Sequence, residues 1–182
     1  MPNINAPQQY RWLWFEGAPR ILIEALKLYG VHEFEGEANN PVILGWAREI
    51  RDKVGLEYNS DSNIAWCGLF MGYVVHKADY DPPFLCIRAK EWLKFGNAIK
   101  LPMLGDICVF ERKGGGHVGI YVGEDKHCYH ILGGNQGDAV SVVRIDRTRL
   151  LGARRPAWKV AQPTNVRRVY LDKIGKISHN EA

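Results

Sequence analysis

GDICVFERKGGGHVGIYVG, residues 105–123, holds two runs of β-branched and aromatic residues on either side of the glycine cluster Gly114-Gly115-Gly116. Residues that favour a pleated surface, interrupted by glycine and charge, predict two antiparallel strands. In the second run His117, Gly119 and Tyr121 share one face, and Val118, Ile120 and Val122 the other. The same texture continues through KHCYHILGG (126–134), AVSVVRID (139–146) and LLGARRP (150–156). An antiparallel sheet of four to six strands is therefore expected in the second half of the chain.

The first half has a different period. PRILIEALKLY (19–29) places Ile21, Leu22, Ala25 and Leu26 at helical spacing, with Pro19 at the start and Gly30 as a stop. PVILGWAREIRDKVG (41–55) repeats apolar residues in the same way and ends on a glycine. A third helix is expected over about 64–78, capped by Ser62 or Asn63, and a fourth over 85–95. Helices first and strands second predict an α+β fold with the helices packed on one side of the sheet.

A chain of 182 residues, 46% hydrophobic and 24% charged, suits one domain, expected over 18–157 between an N-terminal extension (1–17) and a basic C-terminal tail (158–182). The net charge of +4 favours anionic partners without choosing among them. The beginning of the chain has no basic segment followed by an apolar run, and no stretch is long enough for a membrane span. Synthesis in the cytoplasm without a signal peptide is the expectation. Cys67, Cys86, Cys108 and Cys128 are too scattered to suggest a disulfide framework, so free thiols are expected, Cys86 and Cys108 in the core.

Cys67 lies in NIAWCGLF (63–70), at the expected start of the third helix. Unpaired N–H groups and the helix dipole there favour a thiolate. Most cysteines are inert core residues, so a partner is needed. His117 follows three glycines on a strand face opposite an apolar stripe, and as a general base it would complete a Cys-His acyl-transfer pair. His130 and Asn135 are candidates for orienting its ring. Parity leaves two outcomes for the β-turn near 123–126: one puts Cys128, His130 and Leu132 on the His117 face, the other His127, Tyr129 and Ile131. Gly133-Gly134 ahead of Asn135 can reset that parity.

The series NIAWCGLF, RAKEWLKFG, GDICVF, GGHVGIYVG, LGGNQ and LLGARRP resembles the NlpC/P60 and CHAP superfamily of cysteine peptidoglycan hydrolases, and particularly its small, often phage-encoded, endolysin-like members. The likeness runs from about residue 19 to residue 156. It implies a minimal papain-like fold, a nucleophile at Cys67, a base at His117 and a third catalytic residue at Asn135, with His130 as the alternative. Trp66, Gly116 and Gln136 are then expected to line the substrate site, and the Cys67 backbone N–H to contribute to an oxyanion hole. The acid that CHAP members often carry two residues before the asparagine is replaced here by Gly133. Such enzymes cut stem-peptide or muramoyl-alanine amide bonds without metal or cofactor. They act on peptidoglycan, here as an expected monomer that binds no nucleic acid and reaches the wall by release or delivery.

Two rivals compete with this reading. One is a zinc site at His127, Cys128 and His130, although His127 and Cys128 point to opposite faces of a strand. The other is a non-catalytic wall-binding module using Trp12, Trp14, Phe15 and the basic tail. The simpler expectation for these rings is packing on the first helix. Glu33, Glu35 and Glu37 crowd a polar loop unlike the cleft that muramidase chemistry needs, but in the resembling family this segment precedes the second helix, which places it to line the cleft.

Overall fold

Pro19, Asn40 and the glycines after them punctuate the first half of the chain much as its periodicity predicts. A computed structural model describes residues 5–17, 19–36, 38–179 and 181. Helix α1 (Arg20–Lys27) has Pro19 at its N-cap and buries Ile21, Leu22, Ala25 and Leu26. Helix α2 (Pro41–Glu49) is capped by the Asn40 side chain, which accepts from the Val42 N–H at 2.9 Å. The second predicted helix is broken, however. Ile50 leaves helical geometry (φ −114°, ψ 29°), and a short α3 (Arg51–Val54) follows it to the left-handed Gly55.

Helix α4 (Cys67–Lys77) begins at the cysteine itself, three residues later than expected, and no side chain caps it. Ser62 and Asn63 are held in a turn ahead of it. The Asp61 carboxylate accepts from the Asn40 N–H, Asn39 accepts from the Asp61 N–H, and Asn63 donates to Ser60, so this segment is committed elsewhere. The fourth predicted helix is a 3-10 segment, Ala89–Lys94, because Leu85 adopts a left-handed backbone (φ 59°) that interrupts any earlier turn. Gly68 and Gly72 let α4 approach this region. A Cβ at residue 68 would lie 2.4 Å from the carbonyl oxygens of Cys86 and Ile87, and one at residue 72 would lie 2.7 Å from the Cys86 sulfur.

The sheet holds seven strands: β1 (Asn97–Ile99), β2 (Ile107–Arg112), β3 (Gly115–Glu124), β4 (Cys128–Gly133), β5 (Ser141–Asp146), β6 (Leu150–Arg155) and β7 (Ile177–Ser178), in the order β1-β6-β2-β3-β4-β5-β7. The architecture is α+β. Its seven strands exceed the expected four to six by one, the short elements β1 and β7 forming the two edges, and β7 pairs in parallel with β5 while the other pairs are antiparallel. Val118, Ile120, Val122 and Leu132 face the helices, where they join Leu69 and Phe70 of α4 in the main core. Cys108, Phe110, Tyr121, Tyr129 and Ile131 form a smaller apolar cluster on the opposite face.

Both flanks are part of this body. Tyr10 and Leu13, in the 3-10 segment Gln8–Phe15, enter the main core, and Trp14 meets Tyr29 edge-on, as the packing expectation requires; Phe15 is 74% exposed. Near the other end Val169 and Leu171 bond to the Glu124 backbone, and β7 closes the β5 edge. The expected tail is therefore laid along the sheet. Among the described residues no helix is long and apolar enough to cross a membrane.

Candidate active site

An uncapped helix leaves its first N–H groups free for another acceptor. At α4 the acceptor is the Cys67 sulfur, on which the N–H groups of Val118, Gly68 and Cys67 bear and whose anion they favour. The strand edge at Val118 is available because the registered pairs of β3 with β4 begin only at Ile120↔Leu132. Cys67 is 3% exposed, and burial outweighs the amides and the charge of Arg112 to push the thiol pKa up. Burial therefore favours the protonated thiol at rest.

His117 pairs with Phe110 and so projects from the face of the smaller cluster, beside the strand edge that Cys67 approaches from the helix side. Its ring is fully buried, and burial lowers its pKa to about 4. Its Nε2 lies 2.9 Å from Gln136 Oε1, while Nδ1 is buried without a hydrogen-bond partner. The Gln136 amide nitrogen donates to the carbonyls of Ile131 and Ser141, which aims its oxygen at the ring. An oxygen can only accept here, so the proton sits on Nε2 and Nδ1 carries a bare lone pair. Thiol and imidazole share one end of β3, both neutral, without a hydrogen bond between them.

Gln136, expected among the substrate-contacting residues, is thus the residue that holds the ring. Asn135 is not against His117. Its Oδ1 accepts from the Trp66 N–H at 3.2 Å and its amide donates to Glu33, because a left-handed backbone (φ 56°) turns it toward the start of α4 and brings Gln136 round to the histidine. Gly133 supplies the room: a Cβ there would lie 2.8 Å from Gln136 Oε1 and 3.3 Å from His117 Nε2. His130 is on the other face. The register shift between Tyr121 and Gly123 places Tyr129 and Ile131 with the His117 face, and His130 instead bridges Tyr10 (2.7 Å) and Asp125 (2.9 Å).

Trp66 is fully buried beside Trp46 in the main core, with its indole N–H on Glu33. Gly116 is half-buried against Lys90 and Ala89. Glu33 lines a polar cavity of about 270 Å³ with Asp61, Asn63, Asn135 and Asp138, and burial raises its carboxyl pKa. Glu37 lies outside the described residues. Among those described, no group of three or more His, Cys, Asp or Glu side chains is arranged to hold a metal ion, and all four cysteines are free and buried. No protein-family model matches the chain, and no curated protein is significantly similar to it.

Proposed function

We propose that the protein is a papain-like cysteine peptidoglycan hydrolase in which Cys67 is the nucleophile, His117 the base and Gln136 the residue that fixes the ring. The observation that carries this reading is the His117 imidazole. Its proton is pinned on Nε2 by Gln136, and its free Nδ1 lies at the end of the strand whose Val118 amide meets the Cys67 sulfur. As a wall peptide binds, Nδ1 takes the thiol proton and the sulfur attacks the amide carbonyl carbon. The Cys67 backbone N–H supports the oxyanion. The imidazolium then protonates the leaving amine, and water releases the acyl group from the thioester. Because the resting pair is neutral, ionisation accompanies substrate arrival. The wall as substrate follows from the resemblance of the sequence motifs and suits the mildly basic chain, which acts as a monomer after release or delivery.

Digestion of purified peptidoglycan by wild type and Cys67→Ala, read by mass spectrometry, tests this. New amino termini with wild type alone are expected, and they identify the bond that is cut. A specific observation favours the rival binding module: Cys67 and His117 are both buried at rest. If neither protein releases fragments from several wall chemotypes and both still sediment with the wall, the hydrolase reading falls and the binding module replaces it.

A further inference from the structure

Late in the chain, one acid reaches the end of the sheet that carries His117. Beyond β7, Glu181 is fully buried. Its carboxylate forms a two-point ion pair with Arg149, at 2.8 and 2.7 Å, and its carbonyl accepts from the Gly137 N–H, next to Gln136. Arg149 also donates to the carbonyls of Ser178 and Glu111, which fixes its guanidinium from both sides. Leu150, Phe110 and His117 lie in one row across β6, β2 and β3, so Arg149 stands at the histidine's end of the sheet. Glu181 and Arg149 both act electrostatically on the His117 ring.

A second cation completes the arrangement. The charge of Arg112, at the end of β2, is felt by both Cys67 and His117, yet its Nε and Nη1 are buried without a hydrogen-bond partner among the described residues. Both guanidinium groups thus act on His117, and Arg112 on Cys67 as well, while among the described residues the carboxylate paired with Arg149 is the protein's own Glu181. Guanidinium groups match carboxylates in two-point geometry, and a buried unpartnered one is costly.

We propose that Arg149, with Arg112 beside it, forms a carboxylate-binding subsite next to His117, which Glu181 fills at rest and from which a carboxylate on the substrate peptide displaces it. The site would take peptides with a free carboxylate close to the cleaved amide, and the C-terminal segment would act as a tethered competitor. The proposal rests on the hydrolase reading, but its test does not need hydrolysis.

The test compares alkylation of Cys67 in the full chain by iodoacetamide, which is neutral, and iodoacetate, which carries a carboxylate, with the labelled peptide quantified by mass spectrometry. Wild type is expected to react slowly with both. Glu181→Gln is expected to raise the iodoacetate rate more than the iodoacetamide rate, lifting their ratio about tenfold, the scale of one charge-assisted contact. Arg149→Gln, which releases the segment but removes the cation, is expected to leave the ratio at its wild-type value. It also serves as the second variant should Glu181→Gln misfold, since a raised ratio in Arg149→Gln overturns the proposal. An unchanged ratio in folded Glu181→Gln overturns it too, even if both rates rise. Wall digestion with an unchanged ratio sinks the subsite alone, whereas a raised ratio without digestion keeps the carboxylate-binding site and sinks the hydrolase reading together with the substrate peptide assigned to that site.

Discussion

Gln136 holds the His117 ring with an uncharged oxygen, and the chemistry of the site follows from that neutrality. A carboxylate in its place would stabilise imidazolium; an amide fixes the tautomer and leaves the ring's basicity low. Gln136→Ala is expected to lower kcat on the order of 100-fold through loss of ring orientation, whereas Asn135→Gly, which keeps the left-handed backbone, is expected to cost far less. Gln136→Glu should raise the His117 pKa from about 4 and move the acid limb of the kcat profile to higher pH. Stability responds to the same ring. Burial depresses its folded pKa below the ordinary value of 6.5, so its contribution is complete above that value and declines as pH falls toward 4. Between pH 7 and 5 the expected loss is about 2 kcal/mol, to be read by denaturant titration at the two pH values, and His117→Gln should remove most of that slope. The placements of Cys67 and His117 were both legible in the sequence, one at a helix start and the other on a strand delivered by glycines. The ring's holder was not. One left-handed residue, Asn135, exchanges the directions of two neighbouring amide side chains, and neither composition nor strand parity reports a backbone angle.

Among the elements, α4 is set against its neighbours by the absence of side chains. Gly68 follows the cysteine because the backbone at 86–87 occupies the space where a Cβ would stand, so Gly68→Ala is expected to cost on the order of 2–3 kcal/mol and to shift the start of the helix. Gly45, within α2, has open space around its missing Cβ, and Gly45→Ala is expected to stabilise the protein by about 0.5–1 kcal/mol in the same denaturant series. The opposite signs at two helical glycines separate close packing from helix propensity. Element type was readable wherever periodicity ran uninterrupted, as in α1. It failed where a tertiary contact overrode local preference: at Ile50, at Leu85, and at the Asn39 to Asn63 cluster that delays α4. The shift within β3 was equally silent, because an extra residue in a strand leaves the alternating pattern intact on either side of it.

Across the whole molecule, buried acids bind the late part of the chain to the sheet. Burial alone would raise the Glu124 carboxyl, but Arg168, Arg147 and Tyr121 outweigh it and leave its pKa below the usual range. Asp125 is held in the same way by Arg144, and Asp106 is clamped by Arg155. Glu124→Gln is expected to cost energy at the lower end of the roughly 3–5 kcal/mol of an opened buried ion pair, since its arginines are partly exposed, and to speed amide exchange in residues 165–171. The α+β class was legible from the order of helical and strand-like runs. The docking of 158–179 was not, because its short apolar runs acquire meaning only against the edges they cover. All four thiols end up inside this body, each with its pKa raised by burial. Peroxides and disulfide reagents attack thiolates, so burial of the four thiols is expected to slow their oxidation, and under the proposed mechanism a nucleophile that ionises only when its substrate arrives would also keep well in air.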